Sequence, residues 1–185
     1  ANLFGEDASL AEGLRWLTGV HLGWREGTHI VPRFVLSLLD DGLLPSGFRI
    51  ARLDGEGLWI AHGGEEFLLG ELGDGHRLMV ALVVDLVRHA FEMYGASALG
   101  EQGGMPAVVC PGVVLIDEVE AHLHAGWQQT IGGWLRQHFP RIQFVVTTHS
   151  PYICRDADEG GLIRLSAVDR NEPPQVVSAP KELAS

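Results

Sequence analysis

The chain has 185 residues, 46% of them hydrophobic, which is enough for one ordinary domain or one lobe of a larger one. A formal net charge of −11 disfavours a broad nucleic-acid-binding face on these residues, but it leaves open DNA contacts made by other parts of a longer protein. No stretch of about eighteen apolar residues is present to span a membrane, and the first residues lack the basic start of a secretory signal. Because the sequence begins without Met, we expect that it was processed or cut from something longer.

The two cysteines, Cys110 and Cys154, are too few for a disulfide framework and form no CxxC pair. Free thiols are typical of a reducing compartment, so the sequence predicts buried thiols and a cytoplasmic location.

The first predicted elements are two helices. Apolar residues recur at helical spacing over 8–22 and over 29–43, where Pro32 suits a first helical turn. We therefore expect a small helical subdomain over residues 1–47.

A β-hairpin is predicted next, because residues 48–53 alternate, turn residues follow and residues 58–61 are apolar. Residues 67–69 predict a short third strand. From His76 to Tyr94 the pattern is that of a helix that is apolar on most sides and therefore buried. The glycine-containing stretch from Gly95 to Gly104 is predicted to be a flexible loop.

Two continuous apolar runs then predict strands at about 107–117 and 142–148, on either side of a helix over Gly126–Phe139. Runs of this kind are typical of parallel sheets with both faces buried. The fold class predicted is α/β, with a mainly parallel sheet flanked by helices over residues 48–170. Further short strands are expected at 162–165 and 175–177, the latter inside a tail, 171–185, that we expect to be mobile.

Polar residues follow both apolar runs directly. Asp117 and Glu118 end the first run, and Thr147-Thr148-His149-Ser150 end the second. Since the carboxyl ends of parallel strands meet at one edge of a sheet, these side chains are predicted to lie together, in an arrangement suited to metal-phosphate chemistry.

An apolar strand ending in Asp-Glu matches the Walker B element of P-loop ATPases. On this interpretation Asp117 holds a magnesium ion and Glu118 is the general base that polarises the attacking water. The pattern is short, and an acidic pair that simply ends a strand at the surface is the alternative.

The surrounding residues resemble one group of proteins, the ABC-type ATPases often assigned to the AAA family and related to SMC, RecF and overcoming-lysogenization-defect (OLD) proteins. The resemblance is densest in Val114-Leu115-Ile116-Asp117-Glu118-Val119-Glu120-Ala121-His122-Leu123-His124 and in Phe144-Val145-Val146-Thr147-Thr148-His149-Ser150-Pro151. It implies that the segment after Glu118, with His122, is the D-loop that reaches across a nucleotide-sandwich dimer. It also implies that His149 is the switch histidine that senses the γ-phosphate, and that ATP and Mg²⁺ are the cofactors.

A third segment, before the long helix, resembles the ABC signature loop that closes on the partner's ATP. Its nucleotide-binding candidates are Gly73, Asp74, Gly75, His76 and Arg77. Backbone N–H groups at the start of the helix would contribute anion contacts. Glycine stands at position 73 in place of the signature serine, which removes a hydroxyl contact to the opposite γ-phosphate.

A Walker A loop, GxxxxGK[ST], is missing. The single lysine of the chain is Lys181, outside any glycine-rich turn. The chain therefore resembles the C-terminal half of an ATPase, whose P-loop lobe comes from upstream residues or from a partner. The resemblance implies self-association as a dimer and a role in anti-phage defence or DNA maintenance, with a nuclease or DNA among the candidate partners.

Other interpretations remain open. A non-catalytic regulatory module is compatible with Gly73 and the missing P-loop. A metal site would use His122 and His124 with Asp117, Glu118 and His149, although the spacing does not match known zinc hydrolase motifs. A serine hydrolase based on Ser150 lacks a GxSxG elbow. Finally, Trp127 and Trp134 are predicted to be core or lobe-interface residues rather than a platform on which bases stack.

Overall fold

The computed structural model describes residues 8–23, 29–121, 123–166 and 175–178. Six α-helices and nine strands occur in these ranges, and their bounds are as follows. The helices are α1 Ala8–His21, α2 Ile30–Asp40, α3 Asp74–Tyr94, α4 Ala125–Gln128, α5 Ile131–His138 and α6 Pro151–Arg155. The strands are β1 Phe48–Leu53, β2 Leu58–His62, β3 Glu65–Leu68, β4 Leu99–Gln102, β5 Met105–Val108, β6 Gly112–Ile116, β7 Ile142–Val146, β8 Ile163–Ser166 and β9 Gln175–Ser178.

The chain divides into two compact units. The first contains Ala1–Val114 with Trp134–Phe144, and the second contains Leu115–Gly133 with Val145–Ser185. The division falls within β6 and β7. The sequence divisions at residues 47 and 170 stay predictions.

Three helices form the core of the first unit, because each has apolar residues at three- and four-residue spacing. α1 contacts both α2 and α3. The side chains buried among them are Leu17, Val20, Val31, Val35, Leu38, Leu39, Met79, Val80, Val83, Val84 and Val87. The two predicted N-terminal helices and the buried long helix are therefore present, and α3 begins two residues earlier than predicted.

One ion-pair group joins α1 to α3. Asp85 is buried, and its Oδ1 accepts a hydrogen bond from Arg88 Nη2 over 2.6 Å. Arg88 Nη1 also donates to Glu12 Oε1 over 2.8 Å. The buried carboxylate is thus paired, which offsets the cost of removing its charge from water.

The predicted hairpin is present as β1 and β2, and β3 adds a third antiparallel strand. In the turn, Asp54 Oδ1 accepts hydrogen bonds from the N–H of Glu56 over 2.9 Å and from Trp59 Nε1 over 3.1 Å. Gly57 adopts a φ of +140°, which favours glycine. The turn residues therefore fix the register of this hairpin.

The prediction of a flexible loop over Gly95–Gly104 is wrong. Residues 95–98 form a short 3-10 helix, and β4 pairs antiparallel with β5. Gly103 and Gly104 both have positive φ, +61° and +82°, as a tight hairpin turn requires. Hence the single strand expected over 107–117 is two strands, and β5 belongs to this hairpin.

The strands β6 and β7 form a two-stranded parallel sheet, and the other described strand pairings are antiparallel. The Gly112 N–H donates to the Arg141 carbonyl at one end, and the Thr147 N–H donates to the Ile116 carbonyl at the other. The α/β class is confirmed, and among the described residues the parallel part of the fold is limited to these two strands.

The prediction that β6 and β7 are buried on both faces is wrong for the residues that the structure describes. Val113 is 65% exposed, Leu115 is 73% exposed and Val145 is 49% exposed. Alternation puts Val113 and Leu115 on the same side of β6. The described residues cover one side of these strands, and we call the side defined by Val113, Leu115 and Val145 the uncovered sheet face.

The helix predicted over Gly126–Phe139 is interrupted after Gln128. The Thr130 hydroxyl donates to the Gly126 carbonyl over 3.3 Å, which competes with helix continuation. In the first turn of the second helix, α5, the Gly133 N–H donates to Asp156 Oδ2 over 3.2 Å. The side chains of Trp127 and Trp134 are both buried, as core residues rather than a base-stacking platform.

The C-terminal strands β8 and β9 pair antiparallel, so residues 175–178 of the predicted tail form a strand, and the rest of that tail lies outside the described residues. Within the ranges described, no helix has the length and hydropathy to cross a membrane.

Candidate functional site

Thr147 ties the end of β7 to the end of β6. Its N–H donates to the Ile116 carbonyl over 3.0 Å, and its own carbonyl accepts from the Val119 N–H over 3.1 Å. Its hydroxyl donates to Asp117 Oδ1 and accepts from the Glu118 N–H over 2.7 Å. One threonine therefore fixes the positions of both Asp117 and Glu118 at the edge of the sheet.

Glu118 has an unusual backbone conformation. Among the described residues it is the single non-glycine residue with positive φ, at +46°. For a residue other than glycine, this left-handed conformation has a free-energy cost on the order of 1 kcal/mol. It persists only where surrounding contacts fix it. The hydrogen bond from its N–H to Thr147 is one such contact. An exposed carboxylate held in this way is typical of a functional position.

The acidic pair has the chemistry that a magnesium ion requires. Both carboxylates are exposed, and an Asp117 oxygen is oriented by the Thr147 hydroxyl. Magnesium is usually bound by one or two carboxylates together with waters and substrate phosphates. The residues present therefore fit a magnesium-phosphate group.

Glu120 connects the acidic segment to His149. Its Oε1 accepts a hydrogen bond from the His149 N–H. Burial raises the pKa of the Glu120 carboxyl, but the bonds from the Thr148 hydroxyl and the His149 N–H outweigh burial, so the pKa is lowered overall. Glu120 is thus ionised at neutral pH, and the ring of His149 stays exposed beside it.

Ser150 is occupied in a structural hydrogen bond. Its side chain is buried, and Oγ donates to Gln128 Oε1 over 2.7 Å. Gln128 Nε2 in turn donates to the Leu123 carbonyl over 2.8 Å. A buried hydroxyl that donates to an amide is not poised as a nucleophile, and the serine hydrolase interpretation is wrong for this reason.

The histidines of the alternative metal site are only partly described. His124 Nδ1 accepts from the Gly126 N–H over 3.2 Å at the start of α4, and His122 lies outside the described residues. In the described part of the chain, no group of three or more His, Cys, Asp or Glu side chains is placed to hold a metal ion.

The predicted signature segment lies in the first unit, at the start of α3. Gly73 caps the helix with its carbonyl, which accepts from the N–H groups of His76 over 3.0 Å and Arg77 over 3.4 Å. Arg77 Nη1 donates to Asp74 Oδ1 over 3.2 Å, and the His76 ring lies 4.9 Å from that of Phe48. Gly73 and Asp74 are exposed, as a segment that binds an external phosphate requires.

Burial is the largest influence on His76 and lowers the pKa of its imidazole. The bond to the Gly73 backbone raises that pKa and the nearby His62 lowers it, with a net decrease. His76 is therefore neutral at pH 7, and Arg77 is the cationic side chain at this helix start.

Sequence reasoning predicted Asp117, Glu118 and His149 as site residues but missed the residues that form hydrogen bonds with them or with the neighbouring Ser150. Several of these bonds join residues that are 20 to 30 positions apart in the chain. The separation is 29 positions between Glu120 and His149 and 22 between Gln128 and Ser150. The available signal was weak: a threonine directly after a strand and an acidic residue two positions beyond the Asp-Glu pair.

Two solved structures with a similar fold come from SMC ATPases. One, from work on ATP-driven dimerization and DNA-stimulated activation of SMC ATPases, aligns with a TM-score of 0.53 and 17% identity over 94% of this chain and 91% of that one. Another, an SMC head bound to the C-winged helix domain of ScpA, aligns with a TM-score of 0.56 and 17% identity over 96% of this chain and 55% of that one. The fold is therefore that of the ABC-type P-loop ATPases, as the resemblance implied.

Residues 24–155 match the family described as "AAA domain, putative AbiEii toxin, Type IV TA system", and the chain belongs to this family. Similar proteins include "Retron Ec83 probable ATPase" of Escherichia coli, 34% identical over 58% of this chain, and "Retron Vc95 probable ATPase" of Vibrio cholerae serotype O1 biovar El Tor, 35% identical over 57%. The "Septu protein PtuA" of Bacillus mycoides (strain KBAB4) is 34% identical over 50%. The chain spans 18%, 19% and 11% of the lengths of these relatives.

Proposed function

We propose that this chain is the C-terminal portion of an ATPase that binds and hydrolyses Mg-ATP at a composite interface between two copies. The observation that carries the proposal is the exposed Asp117–Glu118 pair, held at the sheet edge by Thr147. The family and the SMC-like fold support nucleotide chemistry at this edge.

Each residue has a distinct proposed role. Asp117 holds magnesium, which when bound neutralises phosphate charge. Glu118 accepts a proton from the attacking water, and His149 contacts the γ-phosphate. The partner's ATP is bound by Gly73, Asp74, Gly75, His76 and Arg77. His122, which lies outside the described residues, is proposed to belong to the segment that reaches across the dimer.

A P-loop lobe is the proposed cover of the uncovered sheet face. Leu115 and Val145 lie opposite each other in the register that the backbone bonds at both ends of β6 and β7 define, and both are apolar. Large apolar side chains clustered on a sheet are typically buried by another layer of structure. The lobe comes from the same polypeptide or from a separate partner, and it supplies the missing Walker A lysine.

The biological role proposed is anti-phage defence. The names of the similar proteins place them in retron and Septu systems, which supports this role over DNA maintenance. A nuclease is the candidate protein partner. DNA would be contacted by parts other than a basic face of this chain, whose net charge is −11.

The proposal is tested by comparing ATP turnover in two preparations: the full-length protein that carries these residues, and this chain alone. We expect Mg²⁺-dependent turnover in the full-length protein and none above background in the chain alone, because the Walker A lysine is needed to hold the β- and γ-phosphates. Absence of turnover in the full-length protein, with and without DNA, would overturn the proposal.

Gly73→Ser tests the departure from the signature motif and separates catalytic from non-catalytic interpretations. Gly73 has φ −61° and ψ 154°, which any residue adopts. Apart from its chain neighbours, no heavy atom of the described residues lies within 4 Å of a Cβ added there. Serine is also a good N-cap, so we expect stability to be unchanged or higher by a few tenths of a kcal/mol.

We expect the added hydroxyl to raise the turnover number of the full-length protein severalfold at unchanged melting temperature. Gly70→Ser is the matched control, since the space around Gly70 is likewise open in the described structure. Equal turnover in Gly73→Ser and Gly70→Ser would contradict the assignment of this segment as the signature loop.

A further inference from the structure

The segment that follows the acidic pair and the segment that contains His149 are joined by two side chains besides Thr147. Glu120 Oε1 accepts the His149 N–H, and Gln128 Oε1 accepts the Ser150 hydroxyl over 2.7 Å. Ser150 is further fixed because its N–H donates to Thr148 Oγ1 over 3.0 Å. His149 and Ser150 are thus held by the side chains of Glu120 and Gln128, and Ser150 in turn is bonded to Thr148.

Glu120 is suited to this task by its charge. It accepts a hydrogen bond from the His149 N–H, and this bond and the neighbouring Thr148 hydroxyl both lower the pKa of its carboxyl. Hydrogen bonds to an ionised acceptor are about twice as strong as those between neutral groups. The His149 backbone is therefore set by a strong contact, while its exposed ring remains available to a ligand.

We propose that Glu120 is a positioning residue that sets the direction of the His149 ring by holding the backbone of residues 148 and 149. Gln128 completes the connection through Ser150, so Glu120, Gln128 and residues 147–150 respond to nucleotide as one unit. This inference rests on the proposed function, in which His149 contacts the γ-phosphate, and Glu120 itself does not touch the nucleotide.

The test uses three variants of the full-length protein: Glu120→Ala, Glu120→Gln and, as a matched control, Glu159→Ala, an exposed glutamate of the same unit. Glutamine keeps an oxygen that accepts the His149 N–H, and its amide group can donate to the Thr148 hydroxyl oxygen. Alanine removes both contacts. The two measurements are hydrogen exchange of the peptide containing residues 147–151, and kcat and KM for ATP.

We expect Glu120→Ala to speed exchange in that peptide at least about tenfold relative to the control, because an amide hydrogen bond is lost. We also expect kcat to fall about tenfold or more with KM changed less than about threefold, and Glu120→Gln to recover most of both losses. Unchanged exchange in Glu120→Ala would overturn the inference whether or not the protein hydrolyses ATP.

The kinetic result separates this inference from the proposed function. If Glu118→Gln abolishes turnover and Glu120→Ala leaves kcat unchanged, the positioning role is wrong and the proposed function stands. If Glu118→Gln leaves turnover unchanged, the proposed function fails, and the exchange measurement alone decides whether Glu120 holds the His149 backbone. Equal losses in Glu120→Ala and Glu120→Gln would also contradict the role given to the hydrogen-bond acceptor.

Discussion

Replacing Glu118 by glutamine is expected to lower the turnover number of the full-length protein for ATP at least about a hundredfold. The reason is that a general base contributes roughly 10²- to 10⁴-fold to a reaction, and an amide cannot accept the proton. Glutamine has nearly the same shape, and the φ of +46° at this position is no worse for it than for glutamate. Folding and nucleotide binding should therefore persist.

The measurement is steady-state ATP hydrolysis, alongside equilibrium binding of ATP to the same variant. Glu159→Gln, at an exposed position in a turn of the same unit, is the control for loss of one negative charge. Turnover by Glu118→Gln within about threefold of the unsubstituted protein would show that Glu118 is not the base. It would favour a non-catalytic role for the acidic pair.

Thr147→Val should cost about tenfold to a hundredfold in turnover, because small displacements of catalytic groups have effects of this size. Valine matches threonine in shape and in its preference for extended backbone. It removes the hydroxyl that donates to Asp117 and accepts from the Glu118 N–H. Loss of these bonds should also reduce the free energy of unfolding by about 1 kcal/mol, the lower part of the usual range because Thr147 is exposed.

Thr147→Ser is the matched control, since serine keeps the hydroxyl and lacks only the methyl group. We expect it to retain most of the activity of the unsubstituted protein, measured by kcat and by the denaturant midpoint. The role assigned to the hydroxyl would be refuted by valine and serine variants with the same turnover. The role would equally be refuted if Thr147→Val lowered stability without lowering kcat.

The sequence by itself determined the elements that depend on local patterns. The helices α1, α2 and α3 follow from apolar spacing, the β1–β2 hairpin follows from alternation and a turn, and the Asp-Glu and Thr-Thr-His-Ser segments follow directly from the ends of apolar runs. These features need contacts only within a few residues, so periodicity and turn chemistry are sufficient to predict them.

Other features depended on contacts between residues far apart in the chain. The first turn of α5, after the break from α4, contains the bond from the Gly133 N–H to Asp156, 23 residues away. The hold of Thr147 on Asp117 spans 30 residues, and that of Glu120 on His149 spans 29. No local pattern encodes a partner at such distances.

The uncovered sheet face is the clearest example of this difference between features set by local sequence and features set by tertiary contacts. The apolar run Val113–Ile116 correctly predicted a strand, and its apolar side chains point to both sides, a pattern typical of strands buried on both faces. Which faces are covered depends on what else packs there, and the described residues cover only one side. The sequence therefore determined that β6 can be buried on both faces. The tertiary structure decided that the described residues bury one of them, since burial is a property of the assembled layers and not of the strand.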